Sequence, residues 1–350
     1  LKEIEQGLNE PQPKVSSTQG YGRVDKAAAW LLLARLYMNA EVYTGTADWA
    51  DAKTYAKKVI DSPYKLYTAK KGQWSAYQQL FMGDNGENGS SVEAIFPILQ
   101  DGKKTTSWGT TLFLMAGCND NKERVKSATE KGNNTTEGWA GNRMRPDLVQ
   151  KFFPNNDAPN ISAYAMPAAA DDDRALFDGD GRNVTNGDDE NGVKVFTNGF
   201  SVCKFNNFKT DGSAGHDSKF PDTDFFLMRA AEAYLMYAEA DARQNGGTTT
   251  ADGAKYINEL RSRAHATTHT AYSLHQICDE WSREFYFEGL RRTTLIRFGY
   301  FGGNVNYNWS WKGGVKNGRN FDAPLNLFPI PTSDLTANGN LAQNPGYSSK

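Results

Sequence analysis

Apolar residues fall at helical spacing in two blocks of this chain, 24–62 and 223–300, and between them the pattern collapses. Residues 63–222 are dominated by Gly, Asn, Asp, Ser and Thr, with few patterns long enough for a helix. A polar stretch of that length is too long for a simple linker. The expectation is a mostly α, single-domain chain over 1–350. Helical hairpins form a scaffold, and a large loop-rich insertion with short strands, 63–222, carries the ligand site. Residues 301–350 read as an irregular tail with a Pro-flanked strand, Leu327 to Pro331.

Residues 24–62 predict a hairpin. Asp25 opens the first helix, Gly45-Thr46 breaks it, Asp48 caps the second, and Ser62-Pro63 ends it. Trp30, Leu33, Ala34 and Tyr37, followed by Ala52-x-x-x-Ala56, place small residues for close helix crossing and large ones between, as in a tetratricopeptide unit. In 63–222, Val92 to Ile98 and Gly199 to Phe205 predict strands, and Pro146 to Phe153 a short helix. From Asp224 to Gly247 a helix is predicted, then Ala254 to Ala266, then one long helix from Leu274 to Phe301.

Net charge is -2, which gives no reason to expect nucleic acid or an anionic membrane as partner. The longest apolar run, Ala27 to Ala34, falls far short of a membrane span. Cys118, Cys203 and Cys278 lack metal or disulfide spacing, and His265 and His269 lack the surroundings of a zinc motif.

Aromatics make up 12% of the chain, and many of its eight Trp sit in polar, glycine-rich surroundings. There they either plug loops or lie flat against a ligand. Sugar rings have apolar C–H faces and polar rims, so aromatic rings beside Asn, Asp and Arg suit them. Trp139, flanked by Gly138 and Ala140-Gly141, is the foremost candidate. Trp108 and Phe113 offer further apolar faces, and Asn142 and Arg143 offer hydroxyl partners. Trp74 and Tyr77 are weaker candidates. No cofactor is required. Calcium is a possibility in the acidic loop at Asp178 and Asp180, with Asp188, Asp189 and Glu190 nearby, although no EF-hand pattern is present. Asp173-Arg174 reads as a local ion pair. Glu280, Glu284 and Glu288 lie along one helix face, so they do not straddle a cleft as glycosidase carboxylates must. They read as structural, paired with Arg283, Arg291 and Arg292. No enzyme motif is present.

Several segments together resemble the SusD/RagB family. They are Asp222-Thr223-Asp224-Phe225, Arg229-x-x-Glu232-x-Tyr234-Leu235-x-Tyr237-Ala238-Glu239-Ala240, Ile257-Asn258-x-x-Arg261-x-Arg263-Ala264, Glu280-x-x-Arg283-Glu284-x-x-x-Glu288-Gly289-x-Arg291-Arg292, Leu295-Ile296-Arg297-Phe298-Gly299, Phe328-Pro329-Ile330-Pro331 and Gln343-Asn344-Pro345-Gly346-Tyr347. Gly22-Arg23-Val24 and Tyr64-Lys65-Leu66 also fit. Ser107-Trp108-Gly109-Thr110-Thr111-Leu112-Phe113-Leu114, Gly138-Trp139-Ala140-Gly141-Asn142-Arg143 and Tyr307-x-Trp309-x-Trp311-Lys312-Gly313-Gly314 resemble its starch-binding branch.

The resemblance implies a non-catalytic glycan-binding lipoprotein on the outer-membrane surface. Starch or maltooligosaccharide is the expected ligand, passed to a TonB-dependent, SusC-like transporter. An oligopeptide or another glycan is the alternative. Family members carry a secretion signal, a lipidated Cys and two more helical hairpins upstream of the matching region. Leu1 to Glu5 reads as the end of a helix begun elsewhere. The expectation is therefore a C-terminal portion whose lipid anchor lies outside this sequence.

Overall fold

The computed structural model describes residues 1–120, 132–184, 194–303 and 305–348, which fall into two units, Leu1–Glu288 and Gly289–Lys350. In the first unit the hairpin forms as its caps dictate. The Asp25 carboxylate accepts the Ala27 amide at 2.9 Å and starts α1 (Lys26–Met38). Asp48 accepts the Asp51 amide at 3.3 Å and starts α2 (Trp49–Asp61). Each cap satisfies an amide that the helix leaves unpaired. Between them a short helix, Ala40–Thr44, stops at Gly45 with φ 75°. Ala34, Ala52 and Ala56 are fully buried, so the two helices approach closely, and Tyr37 stacks on Tyr55.

The chain then forms strand β1 (Ala94–Ile98), helix α3 (Thr110–Ala116) and the two-residue strands β2 (Phe177–Asp178) and β3 (Ser201–Val202), the last two antiparallel to each other. Short helices also form at Pro146–Val149 and Met166–Ala169. Strand β4 (Phe225–Arg229) pairs antiparallel with β1 and runs straight into α4 (Ala230–Gln244). Helices α5 (Ala251–Arg263) and α6 (Leu274–Phe285) follow. α4 is buried continuously from Ala230 to Ala242, and its alanines let α1, α2, α5 and α6 pack around it. Around β2 and β3, Phe152, Phe153, Phe177, Phe200 and Tyr286 build an aromatic core.

Four expectations are corrected here. Residues 225–229 are strand, because Phe225 to Met228 find a partner edge in β1. The helix predicted from Leu274 to Phe301 breaks at 286–290, where Phe287 and Gly289 both take positive φ. The break turns Glu288 inward, 2.8 Å from Arg229 Nε and 2.6 Å from Lys204 Nζ. Arg174 pairs with Asp172, and Asp173 pairs instead with His265 at 2.7 Å. In the second unit, residues 328–331 are not strand. Pro329 and Pro331 lack amide donors, and the Gln343 side chain takes the place of a strand neighbour by bonding both backbone groups of Ile330. That unit also holds α7 (Arg291–Arg297) and a cluster of Phe301, Trp309 and Phe321.

The glutamates of α6 are structural, but their main partners come from distant parts of the chain. Arg174, Arg229, Arg263 and Lys204 have fully buried side chains and meet Glu93, Asp172, Glu280, Glu284 and Glu288. Arg174 grips Asp172 with two hydrogen bonds, at 2.8 and 2.7 Å, and reaches Glu280 at 2.7 Å. Burial alone would raise these carboxyl groups. The guanidinium groups of Arg174, Arg283 and Arg261 overcome it and hold Glu280 down at about 2, and those of Arg263, Arg229 and Arg174 hold Glu284 lower still. Lys204 is pushed down to about 8 by burial, against the pull of Glu288. The network ties the loop-rich region to the helices.

Candidate functional site

The site is built on the end of α3. Thr111, Leu112, Met115 and Ala116 bury one face of this helix, which leaves Phe113 pointing outward, 49% exposed. Its last turn has carbonyls with no partner inside the helix. The segment carrying Trp139 supplies them. The Trp139 amide donates to the Ala116 carbonyl at 2.8 Å, and the Gly141 and Asn142 amides donate to the Gly117 carbonyl at 3.0 and 2.6 Å. The Ala140 amide donates to the Asn119 carbonyl at 3.0 Å. This approach needs glycine at 117, where a Cβ would lie 2.7 Å from Asn142 Nδ2.

That docking sets Trp139 beside Phe113, with ring centroids 6.0 Å apart. Trp108, just before α3, lies 6.3 Å from Trp139. Trp108 is 55% and Trp139 38% exposed, so three large rings share an open face. Trp108 and Phe113 are turned 32° and 56° from the plane of Trp139, so the face is curved. Such an arrangement offers a row of apolar surfaces for ring faces of a ligand.

Three neighbours escaped the sequence reading. Phe220 meets Trp108 edge-on at 5.5 Å. Lys219 Nζ lies 5.1 Å from the Trp108 ring and 3.5 Å from Glu137 Oε1. Glu137 Oε2 accepts the Trp139 indole N–H at 3.2 Å. The available signal was Lys219-Phe220-Pro221 directly before Asp222, an aromatic next to a turn-forming residue.

The polar candidates are placed differently. Asn142 lies against Gly117, at the end of α3. Arg143 turns away from them: Nη1 donates to the carbonyls of Val195 and Asn198, and the guanidinium faces Phe196. Trp74 and Tyr77 are core residues, bonded to the carbonyls of Thr210 and Glu284. Asp178 is buried in β2 and accepts the Asp180 amide at 3.0 Å, while Asp180 is exposed. Asp188, Asp189 and Glu190 lie outside the described residues. Among the described residues, the group of three metal-ligating types with atoms within 4.8 Å is Asp101, His216 and Asp222, and it does not include Asp178 or Asp180. The oxygens of that group accept backbone amides of its own turns.

A model of the SusD family matches residues 92–347, most of the chain. The chain belongs to the SusD family. It is 43% identical over 379 aligned positions to the starch-binding protein SusD of Bacteroides thetaiotaomicron, covering 99% of this chain and 64% of that protein. It thus spans somewhat under two thirds of this relative's length. A SusD-like protein, P2, of Formosa agariphila is 30% identical over 154 residues, 40% of this chain and 29% of its own. Among solved SusD-like folds, a Bacteroides fragilis protein superposes with TM-score 0.64 at 18% identity, covering 99% of this chain and 69% of its own. Surface glycan-binding protein A of B. thetaiotaomicron, solved with laminarihexaose, superposes with TM-score 0.61 at 22% identity, covering 98% and 68%. The mostly helical architecture with a loop-rich insertion is therefore a SusD-family fold.

Proposed function

We propose that the protein is a non-catalytic, cell-surface glycan-binding protein that takes starch or maltooligosaccharides on the face formed by Trp108, Phe113 and Trp139. The observation that carries this reading is the exposure of three large rings, 6.0 to 6.3 Å from Trp139 to its neighbours, Trp108 and Trp139 in loops and Phe113 on the outer face of α3. Their mutual tilt suits a chain that coils, as an α-glucan does, better than a flat ribbon. The starch-binding name of the 43% identical relative supports the same ligand. Asn142 at the end of α3 and the Lys219–Glu137 pair at the ring edges supply donors and acceptors for hydroxyls. Arg143 contributes by holding residues 195–198.

Binding without catalysis is supported by the carboxylates. Glu280 and Glu284 are buried among guanidinium groups and have no access to a substrate. Calcium is not needed for this mechanism, and an Asp178–Asp180 site would have to gather several more oxygens to reach the six to eight that calcium takes. Family membership supports a place at the outer membrane and delivery to a TonB-dependent transporter. Family membership is also what supports attachment through a lipid anchor; no helix among the described residues is long and apolar enough to cross a membrane.

Titration calorimetry tests the ligand class, with maltoheptaose, laminarihexaose and a mixed peptide digest as the three titrants. The expected result is heat with maltoheptaose and little with the others. Heat with laminarihexaose alone would move the ligand to another glucan, and heat with the peptides alone would sink the glycan reading.

A further inference from the structure

Phe113 stands on α3, but the other rings at the face, Trp108, Trp139 and the neighbouring Phe220, stand on three separate loops, and what holds those loops together is polar. Trp108 ends the segment 100–109, Trp139 lies in 132–142, and Lys219 and Phe220 lie in 213–222. Beneath them, Asn207 is fully buried and Asp222 nearly so. The Asp222 carboxylate gathers two loops: Oδ1 accepts the Gly102 amide and Oδ2 the His216 amide, both at 2.8 Å. Asn207 gathers the third. Its Oδ1 accepts the Asp222 amide at 2.7 Å, and its Nδ2 donates to the carbonyls of Asp217, at 3.2 Å, and Asn134, at 3.4 Å. The Asn207 amide donates to the Asn133 carbonyl at 2.9 Å. The contact is tight. A Cβ on Gly102 would come 2.3 Å from the Phe220 carbonyl oxygen, and one on Gly215 would come 2.5 Å from Asn207 Nδ2.

We infer that Asn207 and Asp222 are positioning residues for the ligand face: they fix the spacing of Trp108, Trp139 and Phe220 without touching ligand. This rests on the three-ring face being the binding site. The physical reason is that a buried polar group left without its partner costs more than the bond itself contributes. The loops are therefore held in one arrangement in which every hub group is paired. Apolar packing alone would let half-exposed rings slide. An isosteric change that turns one acceptor into a donor, or one donor into an acceptor, should loosen the loops while leaving the helices intact.

The test uses Asp222→Asn and Asn207→Asp, with Gly102→Ala cutting the same contact from the loop side should either fail to fold. Glu280→Gln is the control: it weakens the buried ionic network, and its partners Arg174, Arg261 and Arg283 include no hub or ring residue. Two quantities are read at a temperature where helical circular dichroism is unchanged. One is the tryptophan couplet expected of two indoles 6.3 Å apart, assigned by its loss in Trp139→Phe. The other is affinity for maltoheptaose. The hub variants should lose the couplet and bind about tenfold more weakly, as when one ring contact is misplaced. The control should keep both. Hub variants with an intact couplet and unchanged affinity would overturn the inference. A couplet lost in the hub variants while wild type binds no glucan would uphold the positioning role and reject the ligand reading.

Discussion

Glu280 is the point at which the buried ionic network can be tested with least structural disturbance. Its Oε1 accepts Arg174 Nη1 at 2.7 Å, and its Oε2 accepts Arg261 Nη1 at 2.7 Å and Arg283 Nε at 3.0 Å. Glu280→Gln keeps the volume, removes the charge and turns an NH2 group toward a guanidinium. A carboxyl held at about 2 against an ordinary 4.5 contributes on the order of 3 kcal/mol to folding at neutral pH. Removing one partner of a buried pair costs a similar amount, roughly 3–5 kcal/mol. The sign follows from the lowered value. The contribution is complete above the unfolded value of 4.5 and is lost as pH falls through about 2. By pH 3 it should have shrunk to roughly 1 kcal/mol. The assay is urea unfolding of wild type and variant at pH 7 and at pH 3, followed by helical circular dichroism. The midpoint gap should be large at pH 7 and less than half as large at pH 3. A cost below about 1 kcal/mol at pH 7, or one that does not change with pH, would refute the reasoning.

Two further outcomes follow from single groups. Burial, with a smaller push from Asp222, raises Asp224 to about 6, against its hydrogen bonds from the Gln100 amide and the Tyr21 hydroxyl. The folded state therefore favours the neutral form, and this group's stabilisation is full below 3.8 and lost as pH rises through 6. Asp224→Asn should remove a stability gain of on the order of 2–3 kcal/mol that wild type shows between pH 6.5 and 4, and a wild-type slope unchanged in the variant would count against the assignment. At the start of α6, Ser273 Oγ accepts the Gln276 amide while Gln276 Oε1 accepts the Ser273 amide. Ser273→Ala should cost about 1 kcal/mol, read as a urea midpoint shift; no shift would mean that α6 is held by its packing alone.

The parts of the fold that could be read from sequence are those whose signals are local. Asp25, Gly45 and Asp48 mark the hairpin because a cap or a break is decided within four residues. Strand β4 was hidden because Phe225 to Met228 suit a buried helix as well as a buried strand, and the deciding partner, β1, lies over a hundred residues earlier. The break after α6 was hidden for a similar reason: Glu288 leaves the helix to meet Arg229 and Lys204. The ionic network was invisible as such. Arg174 and Glu280 are 106 residues apart, and nothing near either one names the other. At the site, the glycines around Trp108 and Trp139 drew attention to those rings, because aromatic residues in slim, polar loops need a reason to be there. Phe220 and Lys219 carried only the weaker signal of an aromatic next to Pro221, and their contact with Trp108 spans more than a hundred residues of chain. Arg143 looked free beside Asn142 in sequence, but carbonyls some 50 residues later occupy its guanidinium.

Calorimetry of wild type and Trp139→Ala with maltoheptaose bears on the whole functional reading at once, provided helical circular dichroism confirms that both are folded. Loss of the binding heat in the variant is the predicted result, because Trp139 is the ring that both Trp108 and Phe113 face. Undiminished affinity in Trp139→Ala would mean that Trp139 pins its loop to α3 and that the glycan, if one binds, is held elsewhere.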